Sequence, residues 1–273
     1  MKPPMPYFGG KQRIADRVVA LFPEHTHYVE PYCGGLSVFL AKPPSRIETL
    51  NDLDGHLVTF WRVLRDRPHD LIAACELTPH SRAEMVAARD IEDGLDEVEI
   101  ARRVWVHLTQ GRAGITTITG WRFYLDGTSS ATPMSGYLNG YRDRMPAAAE
   151  RLRNAQLECR DALDVIRDYG RHADTLLYVD PPYMPDTRRP KAYLHDVDVT
   201  HHGDLIDALN GCRAHVALSG YPNALYDGGL SRWHRTEISA STQANRAGTN
   251  RRTEVVWTNY EPHPTLLTSE ATA

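Results

Sequence analysis

The sequence predicts an α/β fold: a doubly wound, mainly parallel sheet interrupted by an inserted subdomain of helices and loops. Three observations carry this. Short apolar runs bounded by breakers (His27-Tyr28-Val29-Glu30, Ser45 to Leu50, Leu176 to Val179, Ala214 to Ser219) read as strands buried on both faces, the habit of parallel sheets. Helical stripes such as Ile14 to Phe22, Leu36 to Leu40 and Asp204 to Leu209 fall between them, as crossover connections require. Between residues 61 and 149 the alternation stops, giving way to an acidic helical stretch and then a glycine-punctuated one.

Composition narrows the class. A chain of 273 residues, 41% hydrophobic and 24% charged, suits a globular protein with one large domain and an insertion. It has no apolar run of membrane-spanning length, and Met1-Lys2-Pro3-Pro4 lacks the apolar core of a signal peptide. The expectation is a cytoplasmic protein without a membrane partner. Cys33, Cys75, Cys159 and Cys212 are scattered with no Cys-x-x-Cys, so reduced thiols are expected rather than disulfides or zinc. The net charge of −4 is unevenly spread. Residues 66–100 hold ten acids against three arginines, residues 101–160 nine arginines against four acids, and residues 240–252 three arginines and no acid. That asymmetry suits a polyanion approaching from one side.

Taken in order, Tyr7-Phe8-Gly9-Gly10-Lys11 opens a helix; its glycines permit close backbone approach to a ligand, and Lys11 supplies a cation. The strand His27–Glu30 turns through Pro31-Tyr32-Cys33-Gly34-Gly35 into a helix, a nucleotide-cradle arrangement, with Pro31 and Gly34 as candidate cofactor contacts. The second strand ends in Asn51-Asp52-Leu53-Asp54. Asp52 stands where an acid can bind ribose hydroxyls, and either Asp52 or Asp54 can cap the next helix. A helix is expected over Val58 to Asp66, with mostly helical structure to residue 100. Residues 110–145 read as glycine-broken loops bearing Arg122, Tyr124, Tyr137, Asn139, Tyr141, Arg142 and Arg144, side chains suited to base and phosphate contacts. Ala147 to Ala155 reads as a helix and Gln156 to Cys159 as a strand leading to Asp161, a candidate for a cofactor contact or for capping the helix over 162–169.

The most informative stretch is Leu176-Leu177-Tyr178-Val179-Asp180-Pro181-Pro182-Tyr183. The prolines force the chain out of the sheet, leaving Asp180 and Tyr183 outside a strand's carboxyl end. Asp180 and the Pro181 carbonyl are acceptors that together can hold both hydrogens of an –NH2 group, and Tyr183 offers a face for a base to stack on. Beyond it, Arg188, Arg189 and Lys191 lie in a basic loop. Gly220-Tyr221-Pro222 is placed to wall the base pocket. Trp233 to Ser239 and Thr253 to Tyr260 read as edge or hairpin strands, joined by a mobile loop carrying Arg246 and followed by Arg251. His201-His202 lacks the spacing of a metal site, so no metal is expected. The parts divide as 1–60 with 150–262 for the catalytic domain, 61–149 for the insertion, and 263–273 for a disordered tail.

Phe8-Gly9-Gly10-Lys11, Glu30-Pro31-Tyr32-Cys33-Gly34-Gly35, Asn51-Asp52 and Asp180-Pro181-Pro182-Tyr183, in this order, resemble the Dam-type (D12 class) DNA adenine-N6 methyltransferases, many of them phage-borne. The stretch Arg251 to Trp257 resembles that family's final strand, so the resemblance spans most of the chain; Leu36 departs from it, where the family often has a small residue. The resemblance implies the fold of S-adenosylmethionine-dependent methyltransferases. It implies S-adenosyl-L-methionine as cofactor, leaving as S-adenosylhomocysteine, with Tyr7, Lys11, Asp52 and Asp180 at its binding positions. Catalysis would fall to Asp180, Pro181, Pro182 and Tyr183, acting on a base flipped out of double-stranded DNA. The region 110–145 takes the place of the target-recognition region, and Arg122, Arg142, Arg144, Arg188, Arg246 and Arg251 are the candidate DNA contacts. Cytosine-N4 methylation and a DNA-binding protein without catalysis are the alternatives. A monomer is expected, or a transient dimer on DNA, and a restriction-modification setting is compatible with either.

Overall fold

The computed structural model describes residues 1–117, 119–123, 133–184, 197–241 and 251–262. Seven strands form one sheet: β1 (His27–Glu30), β2 (Ile47–Asn51), β3 (Gln156–Glu158), β4 (Thr175–Val179), β5 (His215–Gly220), β6 (His234–Ser241) and β7 (Arg251–Thr258), in the order β3-β2-β1-β4-β5-β7-β6. The first five are mutually parallel, and β7 runs antiparallel to both β5 and β6. The strand order reverses between β1 and β4, so a crevice opens at their carboxyl ends, where ligands of such sheets bind.

All five residues of β4 are buried, which is why the sequence shows an unbroken apolar run there. Its side chains alternate between the two faces: Leu176 and Tyr178 join one core, Leu177 and Val179 the other. The second core is closed by α9 (Ala162–Tyr169), α10 (Val199–Asn210) and α11 (Ala224–Gly229) through Leu163, Ile166, Leu205, Leu209 and Tyr226. The first is covered by α1 (Ala15–Val19), α2 (Ser37–Ala41) and helices between β2 and β3, α3 (Gly55–Asp66), α4 (Pro68–Leu77), α6 (Glu97–Gln110), α7 (Met134–Arg142) and α8 (Met145–Leu152), with α5 (Arg82–Ala87) packed on α6. Trp61, Trp105, Leu138 and Met145 belong to the same core cluster as Phe39 and Leu50, so these helices pack directly onto the sheet's own layer. The boundary expected between residues 60 and 61 falls inside α3, which is one continuous helix. Among the described residues no helix is long and apolar enough to cross a membrane.

Side-chain caps set several helix starts. Asp54 accepts from the His56 and Leu57 amides, starting α3 three residues before the expected Val58. Asp96, Asp161, Asp198 and Asn223 do the same for α6, α9, α10 and α11. One expectation is corrected. Tyr137, Asn139, Tyr141 and Arg142 do not lie on a loop but on α7, despite Gly136 and Gly140. Each glycine costs a helix about 1 kcal/mol, but Met134 and Leu138, one turn apart, bury into the core, and tertiary packing overrides propensity. Tyr124, Arg188, Arg189, Lys191, Arg246 and the tail from 263 lie outside the described residues. So does the loop 242–250 between β6 and β7, and of Arg251 only the backbone is described.

Three strand ends are tied by one buried amide. Asn51 Nδ2 donates to the carbonyls of Pro31 (2.8 Å) and Arg160 (3.0 Å), and its Oδ1 accepts from the Arg160 amide at 2.9 Å. Removing that side chain strands buried backbone groups, each worth about 1–3 kcal/mol when unsatisfied. Asn51→Ala is therefore expected to lower unfolding free energy by about 2–4 kcal/mol in a denaturant titration; a loss below about 0.5 kcal/mol, the scatter of surface substitutions, would show the tie to be dispensable.

Candidate active site

The exit of β1 is shaped by Tyr7. Gly34 has φ +45°, and a Cβ there would lie 2.7 Å from the Tyr7 ring; a Cβ on Gly35 would lie 2.6 Å from the Tyr7 Cβ. The two glycines thus let the N-terminal segment lie flat on the turn. Leu36, the departure noted above, also takes a left-handed conformation (φ 54°) while fully buried, a strain held in place by its packing. The carboxylate of Asp52 is fixed by backbone amides: Oδ2 accepts from Gly34 at 2.9 Å and Oδ1 from Asp54 at 3.0 Å. Of the pair, Asp54 and not Asp52 caps α3.

Two adjoining cavities share Tyr7, Tyr32, Gly34 and Asp180. The larger, about 230 Å³, is bordered by Pro31, Asp52, Asp161, Pro182, Thr116 and His201. The smaller, about 40 Å³, lies over Gly9, Gly10, Lys11, Glu30 and Ser37. Asp161 caps α9, accepting from Leu163 at 2.8 Å, and also borders the larger cavity. Tyr32 and His201, absent from the candidates, form one wall through a 2.8 Å hydrogen bond. The position of Tyr32 beside Pro31 was the available signal; His201 had none beyond an unassigned histidine pair. Among the described residues no group of three or more His, Cys, Asp or Glu is placed to hold a metal ion.

Lys11 does not border the larger cavity; its ammonium turns to the exit of β4. Nζ lies 2.6 and 2.7 Å from the two oxygens of Asp180, 2.6 Å from the Tyr183 hydroxyl and 3.5 Å from Glu254 Oε1. Burial works against this charge, but the carboxylates of Asp180 and Glu254 outweigh it and hold the ammonium above the usual lysine range. Burial also raises the Glu254 carboxyl, with Lys11 pulling the other way. Ser219 Oγ donates to Asp180 Oδ1 at 3.0 Å, and the Tyr183 hydroxyl donates to Glu254 at 3.2 Å. The Tyr183 ring packs against Tyr221 with centroids 4.4 Å apart, while Lys11 Nζ lies 4.8 Å from its centroid. The open stacking face expected for Tyr183 is thus covered, because Lys11 and Glu254 draw the hydroxyl inward. On the far side of the prolines, Pro181, Tyr183, Ser219 and Tyr221 line a narrow cleft.

The expected DNA contacts in the insertion are partly spent on the protein itself. The Arg122 guanidinium lies over Tyr137, Arg142 donates to the Glu76 carbonyl and to Asn139, and Arg144 donates to the Pro3 carbonyl beside Tyr141. A different cluster is half-buried. His80, Trp121 and Phe123 stack in a row with centroids 4.7 and 5.2 Å apart, flanked by the exposed Arg82 and Arg112. A backbone bridge between Gly111 and Trp121 closes the loop that carries Thr116 to the cavity rim.

A parallel sheet with an antiparallel seventh strand, and an Asp-Pro-Pro-Tyr exit at its switch point, define the class as an α/β methyltransferase. The family is more particular: the model for D12 class N6 adenine-specific DNA methyltransferases matches residues 7–221, and the chain belongs to that family. A type II methyltransferase, M1.LlaDCHI of Lactococcus lactis subsp. cremoris, is 24% identical over 95% of this chain and 96% of its own length. Among solved structures, precorrin-8w decarboxylase of Methanobacterium thermoautotrophicum covers 90% of this chain and 89% of its own at 9% identity and a TM-score of 0.39, a likeness too slight to bear on the chemistry. The chain is a DNA methyltransferase.

Two outcomes test this geometry. Gly34→Ala forces a side chain onto Tyr7 and into a strained φ, and is expected to weaken cofactor binding at least about tenfold by calorimetry, one step of about 1.4 kcal/mol; unchanged affinity would show the Tyr7 contact to be incidental. Glu30, beneath the smaller cavity, accepts hydrogen bonds from Tyr28 and from the Phe39 amide, yet burial pushes its carboxyl up to about 8. The folded state then holds a proton that the unfolded state releases, so stability falls as pH rises from about 4.5 to about 8. Glu30→Gln is expected to flatten that decline in thermal melts across the same range; parallel curves for both proteins would contradict it.

Proposed function

We propose that the chain transfers a methyl group from S-adenosylmethionine to the exocyclic N6 amine of an adenine turned out of duplex DNA. The observation that carries this is the position of Asp180, an acceptor bordering both adjoining cavities on one side of the proline pair, with the Pro181 cleft on the other. The donor set fits the cofactor. Asp52, held by two amides, suits ribose hydroxyls; Tyr7, Tyr32 and Asp161 suit the adenine; and the glycine-lined smaller cavity suits the amino-acid tail. Bound there, the cofactor supplies a sulfonium-borne methyl that passes to the amine nitrogen as the carbon–sulfur bond breaks onto sulfur.

The residues of the chain act on the acceptor. Asp180 and the Pro181 carbonyl take the two amine hydrogens, favouring a pyramidal nitrogen whose lone pair points away from them. Fixing the amine in that orientation is worth up to about 7–11 kcal/mol of the barrier. The Asp180 carboxylate also stabilises the positive charge that grows on the nitrogen, and it takes up the proton which the methylated amine releases. Extruding the base costs a few kcal/mol, offset by these contacts. The stacked row of Trp121 and Phe123 between Arg82 and Arg112 supports a role in gripping DNA, since planar rings and guanidinium groups meet bases and phosphates.

The test is methylation of duplex DNA by the purified protein, followed by digestion to nucleosides. N6-methyladenine is expected; N4-methylcytosine would move the target to cytosine, and no methylated nucleoside would reject the reading. Asp180→Ala is expected to lower turnover at least about a thousandfold, the upper range for loss of one charge-stabilising group. Residual turnover within about tenfold of native would remove Asp180 from the chemistry.

A further inference from the structure

We propose that Glu254 is a positioning residue for methyl transfer: it is the second seat of the Lys11 ammonium, which leaves Asp180 for Glu254 when the acceptor amine arrives. The inference rests on the reading of Asp180 as the acceptor of that amine. As the chain stands, both oxygens of Asp180 already take hydrogens from Lys11 Nζ, at 2.6 and 2.7 Å, and one also takes the Ser219 hydroxyl. An amine docking on this carboxylate would share it with a full ammonium, and the charge growing on its nitrogen would be repelled by a neighbour of the same sign. Lys11 must give way for Asp180 to act.

Glu254 is built to receive it. It stands on β7, opposite the Asp180 exit, with its side chain 5% exposed. Among the described residues, Lys11 is the cation within ion-pair distance of its carboxylate, at 3.5 Å. A charge-assisted hydrogen bond spans about 2.7–2.9 Å, so a shift of about 0.7 Å closes the pair with Glu254, and a further swing of the lysine chain clears Asp180. A buried carboxylate needs a paired cation as well as hydrogen bonds, and here the Tyr183 hydroxyl supplies the bond while the cation stands off at 3.5 Å. Tyr183 guides the path: its hydroxyl accepts from Lys11 at 2.6 Å and donates to Glu254 at 3.2 Å, so the ammonium slides along a group already bonded to its destination. The handover exchanges hydrogen bonds and leaves every proton where it was.

The experiment compares single-turnover methylation, cofactor and DNA affinities, and a ternary structure. Glu254→Gln keeps the size of the side chain and an oxygen for the Tyr183 hydroxyl, and removes the charge. Its methyl-transfer rate is expected to fall about a hundredfold, the loss typical of one misplaced electrostatic group, with both affinities within about threefold of native. Glu254→Asp, which restores the charge, is expected to recover at least about tenfold of that loss. A native rate in Glu254→Gln, or equal losses in both variants, would overturn the proposal, the second outcome marking a packing role only. Independently of whether either variant folds, the native protein crystallised with S-adenosylhomocysteine and duplex DNA is expected to show Lys11 Nζ within about 3 Å of Glu254 and withdrawn from Asp180. Lys11 still bound to both Asp180 oxygens there would equally overturn it. Failure of the native protein to methylate DNA would instead strike the functional reading, so the two failures are separable.

Discussion

One buried ammonium holds the site together. Lys11 comes from the turn before α1, Asp180 and Tyr183 from the exit of β4, and Glu254 from β7, so a single cation closes three segments of which the first two are 169 residues apart in sequence. Buried charges are tolerated only when paired and hydrogen-bonded, and that requirement fixes the position of each partner more tightly than apolar packing would. The Asp-Pro-Pro-Tyr exit is held from beneath by this cluster, which leaves its upper side to the cavities. The Tyr183 hydroxyl is drawn into the same network, and its ring closes against Tyr221 as a result.

The remaining carboxylates of the crevice divide their work by their partners. Asp54 and Asp161 each satisfy helix amides, while Asp52 is clamped between the amides of Gly34 and Asp54 and so joins the turn after β1 to the turn after β2. Asn51 adds the third strand end through Pro31 and Arg160. These anchors are backbone groups just beyond the carboxyl ends of parallel strands, so the cavity floor is built on the sheet itself. Its outer wall is a different matter: Tyr32 meets His201 through a single side-chain hydrogen bond between the turn after β1 and α10.

The stretch between β2 and β3 packs onto this floor. Its helices bury Trp61, Trp105 and Met145 in the core that also takes up one face of the sheet, and the loop closed between Gly111 and Trp121 reaches the cavity with Thr116 while carrying Trp121 on its other end. One short loop thus joins the aromatic row to the cavity rim. The arginines on and beside α7 also hydrogen-bond the carbonyls of Glu76 and Pro3, contacts that show only once the helix is in place.

The sequence by itself determined the strand-and-helix alternation, the four ordered motifs and the exit at Asp180. These are local matters: an apolar run, a proline pair and a glycine turn dictate backbone conformation whatever surrounds them. The buried strands β1 and β4 and the cap at Asp161 were legible for that reason. Only the tertiary structure decided where Lys11 points, that Glu254 completes its cage, that Tyr183 lies closed on Tyr221, and that α7 is a helix in spite of its glycines. Each of these turns on partners brought together from distant parts of the chain, and pairing energies between such partners leave no periodic trace along a sequence.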